Sequence, residues 1–384
     1  MTNAVTLTDA HREVQALARE FAAAEIAPRS AEWNREDEVP VGVLRQLGEI
    51  GLMGISIPEE HGGSGLDHTS LCLAMEEVAA ADAGVSTAMA VQNGLAAAPI
   101  VNNGTEEQKA RFLPGIASAE TIGAYALTEP DAGSDAASIA TSASPTDTGW
   151  RLNGSKQWIT NGGIAGVFVL FARTGGPGPK GVSAFVTPVA PGLVPGPELG
   201  KLGLHSSSTV GLALDDLEVG PEALLGGEGE GLRIALETLD AGRITIAAQA
   251  CGIARSAVDL AVAYATERQA FGGPIARFQG IQFPIAEMSA RLDAARLLML
   301  HAAAQKDANQ PHGVLGAKAK LVASRIAVEA ADVAVQTLGG YGYSAEYPAE
   351  RLYRDAKITE LYEGTSEIQR LVIARELFGD ASRG

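Results

Sequence analysis

Three observations predict a mainly α-helical fold with a β insert. From Asp9 to about Val101 apolar residues recur at helical spacing, as at Val14, Leu17 and Phe21. Between about Thr121 and Gly229 the texture changes to short alternating or apolar runs broken by Gly and Pro. After Gly231 the helical pattern returns. Ile281, Ile285, Met288, Leu292, Ala295 and Met299 step by fours and threes, as do Val314, Ala317, Leu321, Ser324, Val328, Ala331, Val335 and Leu338. Long antiparallel helices bury such seams, so the periodicity supports a C-terminal helical bundle. A chain of 384 residues exceeds what one core holds, and the regions are drawn as 1–120, 121–230 and 231–384.

Within the first region, Ala- and Leu-rich segments from His68 to Ala81 and from Gly84 to Ile100 predict further helices, and Pro58 to Gly65 predicts a loop. In the second, Trp150 to Trp158 reads as a hairpin turning at Asn153-Gly154, with strands at Val167 to Ala172 and Val182 to Thr187. A GxGxxG match, Gly176 to Gly181, lies between these strand runs and contains two prolines; no helix can open there, so it is a loop rather than a dinucleotide fingerprint. Near the C-terminus, Glu363-Gly364 sets a carboxylate on a turn just before a helix, and Ser366 with Gln369 has capping-box spacing. Alone, such a Glu-Gly-Thr is more often a solvated cap than a catalytic group.

Composition narrows the function. Lys and Arg total 29 against 46 Asp and Glu, a net charge of −17, which argues against nucleic-acid or anionic-membrane partners. Cys72 and Cys251 form no CxxC pair, and no two of the six histidines fall at i, i+4, so neither a disulfide framework nor a metal site is expected. The N-terminus lacks the charge pattern of a signal peptide, and no stretch approaches 18 uncharged apolar residues. A cytoplasmic location is the expectation.

A second segment changes the reading of Glu363. Ala124 to Asp135, containing Tyr125, Leu127, Thr128, Gly133 and Ser134, is followed by Lys156-Gln157-Trp158-Ile159-Thr160-Asn161-Gly162-Gly163. With Arg268 to Gly272, Gln336 to Gly340 and Tyr362 to Thr365, these motifs in this order resemble the acyl-CoA dehydrogenase family over nearly the whole chain. The resemblance implies an N-terminal α-helical domain, a middle β-barrel and a C-terminal four-helix bundle.

It also implies a chemistry. Removing two hydrogens from adjacent carbons needs a base and a hydride acceptor, and no side chain accepts a hydride; the resemblance points to FAD. Glu363 matches the base that takes the α-proton, with the thioester carbonyl polarised by the Glu363 N–H. Desolvation is expected to outweigh the helix N-terminus and raise its pKa. Tyr125, Leu127, Thr128, Gly133, Ser134, Trp158 and Thr160 match positions along the flavin ring. Arg268, Phe271, Gln279, Gln336, Gly339 and Gly340 match positions reaching the pyrophosphate and adenine from a neighbouring subunit, while Thr365 and Glu367 complete the cofactor set. Ser134, Asp240, Arg243 and Gly364 match substrate positions. Outside this setting Trp158 reads as core, Arg243 as a solvated surface residue and Gly339-Gly340 as a helix cap.

Some relatives place the base at the position of Gly242, where glycine cannot serve, and glutaryl-CoA-type relatives carry an Arg at the position of Ser86. A short linear or short branched acyl-CoA is therefore expected. The resemblance further implies an electron-transfer flavoprotein as acceptor and a homotetramer built as a dimer of dimers. The alternatives are a same-fold flavoenzyme using oxygen, an enzyme for an unusual or longer acyl-CoA, and a non-catalytic scaffold, which would be expected to have lost Glu363.

Overall fold

The computed structural model describes residues 6–382. The chain begins with α1 (Asp9–Phe21), which a π-helical turn at Ala22–Ile26 carries into α2 (Ala27–Glu36). Then come α3 (Val41–Glu49), α4 (His68–Ala81), α5 (Ala83–Ala90), α6 (Ala98–Asn103) and α7 (Glu106–Ala117). Asp67 and Asp82 cap α4 and α5 by accepting from Ser70 N and Val85 N. On α1 the deeply buried residues are His11 and Ala18, with Ala22 following in the π-helical turn; Val14 and Phe21 pack only at the rim and Leu17 is exposed. Small residues face α4 because they let the two helices approach closely.

Eight strands form the insert: β1 (Gly123–Ala126), β2 (Ser142–Thr146), β3 (Gly149–Thr160), β4 (Val167–Arg173), β5 (Val182–Pro188), β6 (Leu193–Glu198), β7 (Thr209–Val219) and β8 (Leu224–Leu225). They join one sheet in the order β6-β7-β3-β2-β4-β5-β8, with β1 parallel to β4. The strand period of two sends Val167, Val169 and Phe171 to a core shared with the helices, and Phe168, Leu170 and Ala172 to a second core on the other face.

Asn153-Gly154 does not turn a hairpin. β3 runs through it as a bulge, with Gly154 at φ 149° and the pairing to β7 slipping between Leu152 and Gly154. The chain reverses earlier, between Thr146 and Gly149. Asn153 instead receives Asp216 N at 2.8 Å and donates to Asp216 Oδ1 at 3.0 Å across the sheet, so cross-strand bonding overrides the local turn chemistry.

The C-terminal region holds α8 (Gly231–Glu267), a two-residue-turn hairpin of β9 (Gln269–Ala270) and β10 (Gly273–Pro274), α9 (Gln279–Asp307), α10 (Gly313–Leu338), α11 (Ala349–Ile358) and α12 (Ser366–Phe378). The α9 seam is buried from Ile285 to Met299, as its period predicts. On α10 half of the predicted seam, Ala317, Ser324, Ala331 and Leu338, is buried, while Val314, Leu321, Val328 and Val335 lie at the edges; beside it a stripe of Gly316, Ala319, Ala323, Ala327, Ala330 and Ala334 is buried as well. α8 packs extensively against α10, and its Ala247, Ala250, Ala254, Ala257 and Ala261 are buried in the same core as this stripe. By length and composition alone α8 could cross a membrane, but 61% of its most apolar window is buried within the fold.

Two adjacent carboxylates on α4 tie the helical regions together. Glu76 receives Arg296 Nε of α9 at 2.9 and 2.8 Å. Glu77 receives Gln15 and Arg19 of α1 and both terminal nitrogens of Arg255 of α8, at 2.6 to 3.2 Å. Burial disfavours the charge on Glu77, but the hydrogen bonds from Arg255 and Arg19 outweigh it and hold its pKa at about 2. That value lies below the unfolded carboxylate range, so the stabilisation is complete above that range and is lost as the pH falls towards 2. Glu77→Ala, which leaves two guanidinium groups without their acceptor, should lower unfolding stability by on the order of 3 kcal/mol at pH 7, and the difference from the parent in urea melts should shrink on acidification.

Candidate active site

α8 is the axis on which the site is built. Ala235 and Gly242 lie seven residues apart and so share a face of this helix. Tyr125 on β1 packs on Phe171, with ring centroids 4.9 Å apart, and directs its hydroxyl at Ala235 O, 3.5 Å away. Two turns further, Glu363 lies against Gly242 so closely that a Cβ added at 242 would stand 2.0 Å from Glu363 Oε2. The carboxylate occupies the space that a side chain on α8 would need.

Glu363 and Gly364 both have left-handed backbones, at φ 50° and 91°. The loop that carries them is closed by Tyr362 N to Ile358 O at 3.1 Å and Ser366 N to Glu360 O at 2.9 Å. Thr365, rather than Ser366, caps α12 by accepting from Ile368 N at 3.4 Å. Ser366 is already inside the first turn, and Gln369 turns back on the loop instead, donating to Gly364 O at 2.8 Å. Lys320 Nζ, from α10, donates to the same oxygen at 2.7 Å. Tyr362 donates its hydroxyl to Gln249 Oε1 of α8, and Gln249 Nε2 donates to Ala83 O, Ser86 Oγ and Thr87 Oγ1 at 2.7 to 2.9 Å.

Glu363 retains some exposed surface as a residue, but Oε2 is fully buried and has no hydrogen-bond partner among the described residues. Burial pushes its pKa up to about 7, against the opposing pull of Lys320 and then Arg243. Arg243 is not a solvated surface residue. It is 5% exposed, its Nη1 is held by Asp240 Oδ1 at 2.5 Å, and its buried Nε has no partner among the described residues. The arrangement suits a carboxylate that takes a proton near neutral pH from an acid delivered to Oε2.

Beside this centre lies the β1 segment. Gln157 N donates to Thr128 O at 2.9 Å, and Thr128 approaches Gly133 in the exposed turn that carries Ser134. The β3–β7 pairing slips between Lys156 and Ile159, and at this bulge Trp158 adopts φ 61° and leaves its side chain 59% exposed. Thr160 follows, half-buried and paired with Thr209. Thr365 and Glu367 stand at the start of α12, with Glu367 exposed and bonded to Arg370 at 3.0 Å. The rest of the predicted cofactor set lies far away, because α8 rises about 39 Å between Gly242 and Arg268. There Arg268 lies over Tyr341, 5.7 Å from its ring centre, and lines a groove of about 520 Å³ with Gly339 and Gly340. Phe271 is 90% exposed at the tip of the β9–β10 hairpin, where it and Gly272 both have positive φ, as a type I′ turn requires. Gln279 and Gln336 are exposed on α9 and α10.

Sequence reasoning assigned no role to Lys320, Gln249 or the Lys156–Glu129 pair. Lys156 Nζ is buried 2.7 Å from Glu129 Oε1 and 3.1 Å from Leu127 O, and Glu129 also accepts from Ala140 N and Thr141 N. A lysine at an inward-facing position of an Ala- and Leu-rich run is the signal that marks Lys320; Lys156, between Ser155 and Gln157, carries no such signal.

A three-part helical, β and helical architecture with a buried carboxylate at its centre defines the class, and comparison with known proteins gives the family. The acyl-CoA dehydrogenase N-terminal, middle and C-terminal domain profiles match residues 8–120, 124–217 and 229–378. The mitochondrial short-chain specific acyl-CoA dehydrogenase of Bos taurus is 45% identical over 375 residues, covering 97% of this chain and 91% of that protein. The structure of butyryl-CoA dehydrogenase from Megasphaera elsdenii superposes with a TM-score of 0.95 at 42% identity, covering 97% of this chain and 99% of that one. That of an acyl-CoA dehydrogenase complexed with FAD from Bacillus anthracis does so with a TM-score of 0.92 at 35% identity, covering 98% and 68%. The chain belongs to the acyl-CoA dehydrogenase family. Gly242→Ala, which displaces the Glu363 carboxylate without disturbing the cores, should reduce dehydrogenase activity about a hundredfold while leaving the melting temperature within a few degrees of the parent.

Proposed function

We propose that the protein is an FAD-dependent dehydrogenase that converts a short linear or short branched acyl-CoA to its 2,3-enoyl-CoA, with Glu363 as the base. The observation that carries this reading is Glu363 Oε2, buried, unpartnered and attached to a carboxylate whose pKa burial brings near neutrality. A solvated cap residue would show none of these properties. Oε2 removes the α-proton, and the Glu363 N–H, which makes no hydrogen bond among the described residues, is available to the thioester carbonyl as negative charge develops there.

FAD, when bound, supplies the hydride acceptor for the β-carbon. The residues fit such a group. The bulge holds the Trp158 indole out of the sheet, and the open turn at Gly133-Ser134 beside Thr128 offers backbone and hydroxyl groups to a planar polar edge. At the far groove, nothing lies within 4 Å of where a Cβ would stand on Gly339 or Gly340, and the Arg268 guanidinium suits a pyrophosphate. Tyr125, Leu127, Thr128, Gly133, Ser134, Trp158 and Thr160 would hold the ring, with Thr365 and Glu367 nearby. The Arg268, Phe271, Gln279, Gln336, Gly339 and Gly340 cluster would hold the dinucleotide of a second copy. The helix length between the clusters supports this sharing, and a homotetramer arranged as a dimer of dimers is the assembly we propose. Ser134, Asp240, Arg243 and Gly364 are assigned to substrate.

Ser86 supports the short-chain reading. It is buried and bonded to Ala83 O and Gln249 Nε2, so it offers no charge to a distal carboxylate. Electrons leave, on the family resemblance, to an electron-transfer flavoprotein. Glu363→Gln should retain flavin and bind butyryl-CoA, yet bleach the flavin at least a thousandfold more slowly in anaerobic stopped flow; parental-rate bleaching would remove Glu363 from the role of base. In the parent protein the bleaching rate should rise with pH through a limb near 7, since only the ionised carboxylate accepts the proton. Shared sites also predict complementation. Arg268→Ala and Glu363→Gln should each be inactive, and oligomers refolded from a mixture should regain activity through the site that combines intact Glu363 and intact Arg268.

A further inference from the structure

We infer that Lys320 is a positioning residue for the base: from α10 it clasps the loop at the Gly364 carbonyl and supplies the unneutralised positive charge that faces the Glu363 carboxylate. This inference rests on the assignment of Glu363 as the base. Three observations carry it. Lys320 is 1% exposed, among the largest fully buried side chains of the protein, and a buried ammonium is costly unless something compensates it. Its hydrogen-bond partner among the described residues is a neutral oxygen, Gly364 O at 2.7 Å, with no carboxylate within ion-pair distance. That oxygen belongs to the residue next to Glu363, and it is held from a second side by Gln369 Nε2 at 2.8 Å. The loop backbone is thus gripped between α10 and α12 at the point where Glu363 and Gly364 take their left-handed conformations.

The charges around Glu363 sort by element. From α8 comes Arg243, whose charge Asp240 already neutralises at 2.5 Å. β1 contributes Tyr125, and the loop itself contributes Tyr362 and, more remotely, Glu360; burial raises the pKa of both tyrosines, which therefore stay uncharged. Lys320 on α10 remains as the cation without a carboxylate at ion-pair distance among the described residues. Of the two cations acting on Glu363 it is the stronger, and the attraction is mutual, since Glu363 opposes the fall that burial imposes on the lysine. A loop gripped by Gln369 alone would keep much of its shape; what Lys320 adds is the field that keeps a desolvated carboxylate ionised at neutral pH.

The test separates charge from shape. The rate of anaerobic flavin bleaching by butyryl-CoA is followed against pH in flavin-loaded Lys320→Gln, Lys320→Met, Lys320→Arg and Gln369→Leu. Lys320→Gln and Lys320→Met should both move the acidic limb upward by about one pH unit, because the cation that favours the ionised carboxylate is gone. The methionine variant leaves nothing polar to bury and keeps the test open where the glutamine variant does not fold. Lys320→Arg should leave the limb in place, and Gln369→Leu should lower the plateau without moving it. A limb that stays put, or moves down, in a flavin-bound variant lacking the cation overturns the inference, and so does a limb that moves in Lys320→Arg. Full bleaching by Glu363→Gln would instead overturn the underlying assignment of the base, so the two failures are distinguishable.

Discussion

The close contact of α8 with α10 through small residues sets the geometry of everything at the site. Alanines along both helices let the backbones approach, and Gly316 of α10, set against Asp240, Arg243 and Ile244 of α8, continues that contact to the end where the loop crosses. Because α8 presents no side chain at 242, a carboxylate from another part of the chain can lie on its surface. Because α10 lies near, a lysine rooted on it reaches the loop carbonyl with its full length buried. Larger residues along this contact would separate the helices and take the loop's two supports apart together.

The site is organised around an electrostatic conflict. For the base role proposed for Glu363, burial alone would leave the carboxylate protonated, while full exposure would make it too weak a base for a carbon acid. The structure settles between these limits with a desolvated carboxylate facing one neutralised and one unneutralised cation. A group whose folded pKa is raised weakens the fold as the pH climbs from the ordinary carboxylate range through about 7, so the loop is held at a cost in stability. Glu77 acts in the opposite sense to hold the scaffold, since its lowered pKa makes it contribute most at the pH where Glu363 contributes least.

Much of this was legible in the sequence, wherever the signal was local. The helix, strand, helix succession, the buried α9 seam, Glu363 before a helix start and the glycine at 242 all follow from spacing or motif. The Asn153-Gly154 turn failed because a bulge uses the same residues, and only the partner strand decides between them. The cap fell on Thr365 rather than Ser366 because Gln369 was recruited by the loop. Lys320 and Lys156 gave no local clue to their partners, which lie 44 and 27 residues away and meet them only in the folded chain. On α10 the seam's small residues and Leu338 were buried as expected but Val314, Leu321, Val328 and Val335 were left at the edge, because close packing favours alanine over valine, an effect that hydrophobic periodicity does not register.

The turn from Glu129 to Thr141 is stitched at both ends, by the mutual Glu129–Ala132 backbone bonds at 3.0 and 3.2 Å and by the Glu129 carboxylate on Ala140 and Thr141. Its segment with Gly133 and Ser134 is therefore ordered by the protein's own bonds. Loss of conformational freedom is charged against folding, where a large core absorbs it, and not against the arrival of a ligand. A molecule docking there meets a surface already in its binding shape, and its affinity depends on contacts made rather than on chain left to freeze.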